Sequence, residues 1–318
     1  MKIRTPDLNR MPKLSIIIPS FNQGLFLEET LLSILHQNYP ELELIVIDGG
    51  STDNSVDIIR KYASSLAFWV SEPDHGQSHA INKGLEKATG DWVAWMNSDD
   101  CYLPGAFDYV FRTRPWQDMD FIFGNTCYGK TIDTSTDFIH DPAGKNNLKN
   151  LLKFCYSIEH IVPSQSVFIR RSILQKTGLL DENIHYCMDF DWYCRIYLVT
   201  NRILYYPKTI SFFRSQPHSK TGSRKNNGPA EAMEIAEKYL VHLPEEEQNE
   251  VKKTLAYMRD LLSQTHSGIP GLWKFFRMAI QYGNIAINHI SFKVAIKRQV
   301  RSMFGSSSET GVNKFYDV

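Results

Sequence analysis

Between Asp91 and Pro104 the chain reads Asp-Trp-Val-Ala-Trp-Met-Asn-Ser-Asp-Asp-Cys-Tyr-Leu-Pro, an apolar segment that runs into a cluster of polar side chains. Trp92 to Met96 is rich in β-forming residues and predicts a buried strand. Two adjacent carboxylates, Asp99 and Asp100, follow the strand. Like charges this close raise each other's pKa, so both stay ionised only where a cation or hydrogen-bond donors surround them.

The position of this acidic pair favours a binding site. In an open α/β sheet, ligands bind just beyond the carboxyl ends of the strands. Asp99 and Asp100 therefore predict a site for a divalent cation and a polar ligand. The same residues are equally typical of an Asx-turn, or of an N-cap for the helix that follows Pro104, and the pair alone does not separate these alternatives.

The residues before Asp91 alternate between strand and helix patterns. Apolar runs predict strands at Leu14–Pro19, Leu42–Ile47 and Ala67–Val70, and helical spacing predicts helices over Leu25–Gln37, Asp53–Tyr62 and Ala80–Ala88. Such a β-α-β-α order predicts parallel strands with right-handed crossovers. The polar residues that follow the strands would then lie along one sheet edge, which suits a nucleotide: Ser20–Asn22, Asp48–Asp53 and Asn97–Asp100.

The pattern is less regular after residue 104. Short strands are predicted at 121–123, 126–128, 167–169, 203–206 and 210–213, helices at 104–114 and from Met188 onward, and a mobile loop at 133–147. Asp189 and Asp191 stand two residues apart in the second helix, so they point ~200° apart around its axis. At most one of them faces a given cleft.

Composition changes again near residue 229, where helix formers replace strand formers. We therefore predict an N-terminal tail at 1–12, an α/β domain at 13–228 with halves 13–103 and 104–228, and an all-helical extension at 229–318. Its helices are expected at 229–241, 244–264, 272–282 and 291–303.

The region 261–308 contains no Asp or Glu, and its basic residues are interleaved with aromatic ones. Such a helical region can lie on an anionic membrane surface. The alternative is that it packs on the α/β domain or on a second subunit, as in a homo-oligomer.

Charge and cysteine content narrow the functional class. The 318 residues carry a formal net charge of zero, which disfavours a general affinity for nucleic acid. The five cysteines are odd in number and form no Cys-x-x-Cys pair, so a reducing, cytoplasmic setting is predicted. No apolar run approaches the ~20 residues of a membrane-spanning helix, so any membrane contact is expected to be peripheral, at the inner face.

Five motifs in order resemble the inverting glycosyltransferase family 2 over residues 12–220. They are Ser15-Ile-Ile-Ile-Pro-Ser-Phe-Asn22, Val46-Ile-Asp-Gly-Gly-Ser-Thr-Asp53, Asp74-His-Gly-Gln-Ser-His-Ala-Ile-Asn-Lys-Gly84, Asn97-Ser-Asp-Asp100 and Met188-Asp-Phe-Asp191. The resemblance implies the GT-A fold, a Rossmann-like nucleotide half joined to an acceptor half by a mixed sheet flanked by helices.

The resemblance also implies which residues bind a nucleotide-sugar donor. They are Pro19, Phe21 and Asn22 for the base pocket, Asp48 for the base or ribose, Gln77, Asn82 and Lys83 in a segment that approaches the donor, and Arg214 and His218 in a loop that closes over the diphosphate. The chain departs from the family at two points. Gly49 stands where many members have a second Asp, and His79 stands where an Asp is expected.

The remaining implied roles concern the cation and the base. Asp99 matches a position that binds ribose or the metal, and Asp100 matches the metal ligand, with Asn97 or Ser98 at the start of the motif. Carboxylate and diphosphate oxygens suit Mn²⁺ or Mg²⁺.

Asp189 matches the catalytic base that deprotonates the acceptor hydroxyl. By itself, an Asp at the start of a helix is more often an N-cap. Asp191 is interpreted as its structural partner.

The function expected from this resemblance is metal-dependent, inverting sugar transfer to an acceptor hydroxyl of a glycan or lipid-linked molecule, in surface polysaccharide or glycolipid synthesis. Two other classes remain as alternatives. A nucleotidyltransferase would need a glycine-rich phosphate loop after the first strand, where only Gly24 is present. A nucleotide-sugar or glycan-binding module without turnover would make Asp189 dispensable.

Overall fold

The structure is a computed structural model that describes residues 11–112, 116–138, 146–153, 162–216, 219–220, 227–263 and 281–282. Two compact units account for the chain. The first comprises residues 1–146 and 162–219, and the second comprises 147–161 and 220–318. Residues 1–10 of the tail predicted at 1–12 lie outside the described residues, as do the predicted helix at 291–303 and most of the helix predicted at 272–282.

The first unit contains one mixed sheet flanked by helices. The strands found in the described residues are Leu14–Ser20 (β1), Leu42–Asp48 (β2), Phe68–Ser71 (β3), Trp92–Trp95 (β4), Cys101–Tyr102 (β5), Phe121–Gly129 (β6), Thr136–Phe138 (β7), Val167–Arg170 (β8) and Ile203–Arg214 (β9). The α-helices found there are Leu27–Leu35 (α1), Ser55–Tyr62 (α2), Gln77–Lys87 (α3), Ala106–Phe111 (α4), Leu148–Lys153 (α5), Leu174–Thr177 (α6), Met188–Val199 (α7), Gly228–Tyr239 (α8) and Glu245–Ser263 (α9).

The strand order of the sheet is β3-β2-β1-β4-β8-β6-β9-β5, with β7 paired to β6. Strands β1 to β4 are parallel to one another, which confirms the β-α-β-α prediction. Strand β8 joins β4 and β6 in antiparallel pairs, whereas β6 and β9 are parallel. The sheet is therefore mixed, as the resemblance implied.

The parallel half is held by apolar packing on both faces. All seven residues of β1 are buried, as expected for a central strand with helices on each side. On α1, Leu27, Leu31 and Ile34 are fully buried, so this helix packs one apolar face into the core. On α3, a Cβ at Gly84 would lie 2.4 Å from the side chain of Ile17, so the missing side chain lets this helix approach β1 closely.

Four short strands predicted after residue 120 form two long ones. β6 runs through Gly124-Asn125 and β9 runs through Pro207 without a break. The pairing register passes from Gly124↔Tyr206 to Asn125↔Thr209, so Pro207 and Lys208 lie in a bulge. A proline is tolerated there because a bulge residue need not donate to the ladder. The turn-forming residues therefore mark an irregularity within a strand, not its end.

The described part of the second unit includes the α-helices α5, α8 and α9. α5 packs against α8 and α9, and the Lys149 ammonium lies 3.5 Å from a carboxylate oxygen of Glu247 and 3.4 Å from one of Glu250. The side chains of Leu148, Leu151 and Leu152 are buried. None of the helices in the described ranges has both the length and the hydrophobicity needed to cross a membrane.

Candidate active site

Three strand ends meet at one edge of the sheet. Because β1, β2 and β4 run parallel, Ser20 lies opposite Asp48 and Ile17 lies opposite Trp95. Backbone hydrogen bonds continue this alignment past the strands, from the Gly49 N–H to the Ser20 carbonyl and from the Met96 N–H to the Ile17 carbonyl. The polar segments that follow β1, β2 and β4 therefore begin next to one another, as predicted.

The turn after β4 holds Asp100 in a closed set of donors. Its carboxylate is fully buried. Oδ2 accepts hydrogen bonds from Nδ2 of Asn97 at 3.0 Å and Nε2 of Gln165 at 2.9 Å, and Oδ1 accepts one from the backbone N–H of Arg214 at 2.8 Å. Asn97 thus orients Asp100 from within the turn, while two other chain segments complete its surroundings.

Asp99 is more accessible than Asp100. Its Oδ2 accepts a hydrogen bond from Nε2 of Gln216 at 2.6 Å, and its backbone carbonyl accepts one from Nε of Arg214 at 2.8 Å. Ser98, the preceding residue, is buried. Asp99 is therefore the member of the pair through which a ligand outside the protein reaches the turn first.

Electrostatics make this acidic pair costly as two anions. Burial raises the pKa of Asp100, and the charge of Asp99 raises it further, against the hydrogen bonds from Arg214, Gln165 and Asn97. Burial also raises the pKa of Asp99, against the hydrogen bond from Gln216. A divalent cation would remove this cost, since it neutralises both charges and prefers oxygen ligands.

Arg214 ties the acidic turn to other elements. Its side chain is almost buried, with the guanidinium over the rings of Phe26 and Phe212. Besides the Asp99 carbonyl, it donates to the Lys130 carbonyl at 3.1 Å and forms an ion pair with Glu29 at 2.7 Å. The donors of this guanidinium are directed at the protein in this arrangement, whereas His218, predicted for the same loop, lies outside the described residues.

The end of β2 is organised around the buried carboxylate of Asp48. It accepts hydrogen bonds from the Ser51 N–H at 2.9 Å, the Ser51 hydroxyl at 2.6 Å and the Ser71 hydroxyl at 2.6 Å. These bonds fold the turn after β2 and join it to β3. Beside this turn a Cβ at Gly49 would lie 2.6 Å from Oδ2 of Asp74, so a carboxylate from another segment lies where a side chain at position 49 would point.

The end of β1 presents an aromatic ring to solvent. Pro19 is buried within β1, whereas Phe21 is 58% exposed. Asn22 has φ of +52°, and its Oδ1 accepts a hydrogen bond from the Thr52 N–H at 2.9 Å. The left-handed conformation suits Asn because its short side chain can bond locally. The hydrogen bond between Asn22 and Thr52 thereby fixes the turn that carries Phe21, and a base could stack on the exposed ring.

The residues predicted from the start of α3 have separate surroundings. Gln77 donates from Nε2 to Oδ1 of Asn97 at 2.8 Å, which links α3 to the acidic turn. Asn82 is buried and exchanges two hydrogen bonds of 3.0 Å with the backbone of Leu180. Lys83 forms an ion pair with Glu72. Of these three predicted donor contacts, the structure joins only Gln77 directly to the acidic turn.

Asp189 and Asp191 differ in surroundings as the helical spacing predicts. Asp191 is 1% exposed, and its Oδ2 accepts a hydrogen bond from Nε of Arg195 at 3.0 Å. Asp189 is partly exposed in the first turn of α7. The two rings Trp95 and Trp192 lie 5.7 Å apart, which packs α7 against the strand that leads into the acidic turn.

Several side chains at the site were not predicted from sequence. Gln165, Gln216 and Glu29 contact Asp100, Asp99 and Arg214 respectively. Their partners stand 65, 117 and 185 residues away along the chain. Their only sequence signal is polarity beside predicted strands or a helix start, and that signal does not identify a partner.

Comparison with protein families gives a match to the model described as glycosyl transferase family 2, over residues 15–178. The chain is 25% identical over 256 residues to an uncharacterised glycosyltransferase of Rickettsia prowazekii, covering 79% of both chains. It is 32% identical over 200 residues to a PGL/p-HBAD biosynthesis glycosyltransferase of Mycobacterium bovis, covering 61% of this chain and 72% of that one.

Solved structures share the fold. TarS 1-349 of S. aureus, in complex with UDP-GlcNAc, aligns with a TM-score of 0.57 and 19% identity, over 92% of this chain and 83% of that one. The mannosyltransferase PcManGT of Pyrobaculum calidifontis, in complex with GDP-Man and Mn²⁺, aligns with a TM-score of 0.53 and 18% identity, over 95% and 90%.

Proposed function

The chain belongs to glycosyl transferase family 2, and from this premise we propose that it moves a sugar from a nucleotide-diphosphate sugar to an acceptor hydroxyl, with inversion and with the help of a divalent cation. One observation carries the proposal. The acidic turn of Asp99 and Asp100 follows β4, and α7, which carries Asp189 in its first turn, packs against that same strand through Trp95 and Trp192. The groups that we propose to bind the donor and to activate the acceptor are therefore both supported by β4.

The donor is proposed to bind across the ends of β1 and β2. Phe21 offers an exposed aromatic face for a base, and Asn22 and Asp48 hold the turns on either side of it. In support, TarS and PcManGT are named as complexes with UDP-GlcNAc and GDP-Man. Because the carboxylate of Asp48 is used within its own turn, we assign it to shaping the pocket, with base selection left to groups around Gly49 and Asp74.

Asp99 and Asp100 fit a bound Mn²⁺ or Mg²⁺. Burial raises the pKa values of both carboxylates, so a nearby positive charge would stabilise their ionised forms. Their oxygens are hard ligands, which suit these ions. When bound, the cation would act as a Lewis acid on the departing nucleoside diphosphate. The protein's own part is to hold the pair, through Asn97, Gln165 and Gln216, in an orientation that accepts the cation.

Asp189 is proposed as the catalytic base. It is the partly exposed carboxylate of the pair in α7, whereas Asp191 is buried. Asp189 would accept the proton of the acceptor hydroxyl as the oxygen attacks the anomeric carbon, and the nucleoside diphosphate would leave from the opposite face. A single displacement of this kind inverts the configuration at that carbon.

The acceptor is proposed to be a glycan or a lipid-linked molecule of surface polysaccharide or glycolipid synthesis, reached from the cytoplasmic side. The name of the mycobacterial relative, a PGL/p-HBAD biosynthesis glycosyltransferase, supports this class.

Membrane contact would use the basic, aromatic region 261–308, which lies almost wholly outside the described residues. Flotation with anionic liposomes tests this contact: the full chain should float and a chain ending at Gln264 should not, whereas equal flotation would exclude it.

Turnover of a panel of nucleotide sugars tests the transferase proposal, with Mn²⁺, Mg²⁺ or chelator present. We expect one donor to be turned over only with metal. Asp100→Ala should lose metal-dependent donor binding, and Asp189→Asn should bind the donor without turning it over. The exposed Glu86→Gln serves as control. Full activity of Asp189→Asn with a true acceptor would contradict the mechanism, and the absence of any nucleotide-sugar binding would favour a module without turnover.

A further inference from the structure

The geometry points to a second cation site, formed by His75, His79 and Glu182, for a transition-metal ion such as Zn²⁺. One ligand atom from each of these side chains lies within 4.8 Å of the other two. His75 lies in the loop between β3 and α3, His79 in the first turn of α3, and Glu182 in the segment before α7. None of the three belongs to the acidic turn at Asp99 and Asp100.

The two histidines are already arranged as neighbours. Their rings are nearly parallel, with centroids 4.7 Å apart and an interplanar angle of 14°. The His75 backbone N–H donates to Nδ1 of His79 at 3.1 Å, and the Gly76 N–H donates to Oδ1 of Asp74 at 2.8 Å. Gly76 itself has φ of +116°, a conformation that side chains disfavour, so the loop is shaped to bring His75 back over α3.

Glu182 is positioned by a buried residue. Nδ2 of Asn82 donates to Oε1 of Glu182 at 3.0 Å, and the same amide exchanges hydrogen bonds with the Leu180 backbone. A ligating carboxylate held by such a partner loses less freedom on binding a cation. Asn82 thus supports the third ligand from beneath the site, on the same helix as His79.

The ligand set selects the class of cation. Imidazole nitrogen suits Zn²⁺, Co²⁺, Ni²⁺ and Cu²⁺, whereas Mg²⁺ and Mn²⁺ prefer all-oxygen sites such as Asp99 and Asp100. Two histidines and one carboxylate leave a further position for water or a ligand.

Small side-chain movements would close the site. Zn²⁺ bonds of about 2.0–2.1 Å in a tetrahedron place ligand atoms about 3.3 Å apart, and the three ligand atoms lie within 4.8 Å of one another here. His75 and Glu182 are exposed, so their side chains can turn toward the ion. Coordination of His79 ends its bond from the His75 N–H, because the ring then either uses Nδ1 for the cation or carries its proton there.

A cation at this position would connect distant parts of the first unit. Asn82 and Glu182 stand 100 residues apart in sequence, and the ion would add to the hydrogen bonds that already join α3 to the segment before α7. That segment leads directly into the helix of Asp189. We therefore expect Zn²⁺ to raise the thermal stability of the protein and to restrain the start of α7.

Zn²⁺ alone, titrated against a chromophoric chelator into the full chain after dialysis with EDTA, tests the site. We expect one Zn²⁺ equivalent that His79→Ala and Glu182→Gln each bind at least about tenfold more weakly. His36→Ala, which removes an exposed histidine outside the cluster, should match wild type. Mn²⁺ binding is measured in parallel and should be equal in all four proteins, since it reports on the acidic turn.

Thermal melts complete the test and control for folding. Without metal the variants should melt with wild type, and Zn²⁺ should raise the melting temperature of wild type and His36→Ala only. Glu182→Gln still offers a side-chain oxygen to the Asn82 amide and should therefore fold. It keeps the test decisive if His79→Ala fails to fold. Unchanged Zn²⁺ affinity in Glu182→Gln, or no Zn²⁺ binding by wild type, would overturn the proposal while leaving the transferase function untouched.

Discussion

At the scale of single residues, the acidic turn shows how a protein keeps buried charge. Asp100 is fully buried, and such a group is tolerated only where donors replace water. Arg214 supplies one donor from its backbone and fixes the Asp99 carbonyl with its side chain. Its guanidinium is itself paired with Glu29. The turn is therefore a linked set in which the loss of one member leaves others without partners.

Arg214→Lys tests this linkage. A lysine cannot reproduce a planar guanidinium that bonds the Asp99 and Lys130 carbonyls and Glu29 together, so a buried charge would lose partners. We expect a loss of about 2–4 kcal/mol in the free energy of unfolding, measured by urea denaturation without ligands. Arg112→Lys, at an ion pair half-exposed on both sides, should cost under about 0.5 kcal/mol. Equal effects of the two substitutions would mean that Arg214 is not a structural clamp.

A second residue-scale prediction concerns Glu43, at the opposite end of the parallel strands. Burial by itself raises the pKa of Glu43, but hydrogen bonds from Lys13, Ser15 and Thr89 outweigh it and lower the pKa from 4.5 to about 2. Because the folded protein binds the proton less readily than the unfolded chain, Glu43 stabilises the fold above pH 4.5. This contribution is lost as the pH falls through about 2.

Glu43→Gln should therefore lower the stability at pH 7 by roughly 2 kcal/mol, allowing for solvent screening, and the deficit should shrink toward pH 2. Urea denaturation at a series of pH values measures both effects. The exposed Glu86→Gln is the matched control and should follow wild type at every pH. A constant deficit from pH 7 to pH 2 would show that the charge of Glu43 is not what stabilises the fold.

At the scale of elements, α7 separates two carboxylates by helical geometry alone. The buried Asp191 pairs with Arg195, whose guanidinium also donates to the carbonyls of Thr177 at the end of α6 and of Leu179 just after it. The pair therefore fixes α7 to the segment before it. Asp189 lies nearly opposite on the helix, where its Oδ1 accepts a hydrogen bond from the Phe190 N–H at 2.8 Å.

Asp191→Asn should accordingly reduce the stability of the fold, whereas Asp189→Asn should reduce sugar transfer. Removing the buried charge at Asp191 leaves Arg195 partly uncompensated, so we expect a loss of about 2–4 kcal/mol in stability. Asp189→Asn should change stability by under about 1 kcal/mol and abolish sugar transfer. Denaturation and turnover measured on both variants decide the assignment, and a reversal of the two patterns would exchange the roles of the carboxylates.

At the scale of the whole molecule, two separate segments of the chain form the second unit. Residues 147–161 leave the sheet-forming unit after β7, contribute α5 to the second unit, and precede the return of the chain to β8. α5 buries Leu148, Leu151 and Leu152, and it packs on α8 and α9. The helical part after residue 228 therefore completes a cluster that begins in the middle of the sequence.

A chain that ends at Gly228 tests the domain boundary predicted from composition. Such a chain lacks α8 and α9, so the three leucines of α5 should become an exposed apolar patch that promotes aggregation. We expect a lower soluble yield than for the full chain, partly restored when Leu148, Leu151 and Leu152 are changed to Ser. Soluble yield and light scattering measure this. A monomeric chain of residues 1–228 that remains soluble without these changes would support a boundary at 228.

The amino-acid sequence by itself determined the local features of this protein. The alternation of strands and helices in residues 14–100, the polar strand ends and the separation of Asp189 from Asp191 all follow from near-neighbour periodicity and side-chain chemistry. The five motifs also predicted the family that the comparison identified. The weaker predictions came after residue 120, where turn-forming residues at Gly124 and Pro207 proved to lie inside long strands.

Only the tertiary structure decided which distant groups meet. The choice of Gln165, Gln216 and Arg214 as partners of the acidic turn, the strand order beyond β4, and the joining of α5 to α8 and α9 depend on contacts between segments far apart in sequence. Such contacts form where total burial and hydrogen bonding are best satisfied at once, and no local pattern encodes that sum. The cluster of His75, His79 and Glu182 has the same origin, since its third ligand arrives on a segment about a hundred residues away.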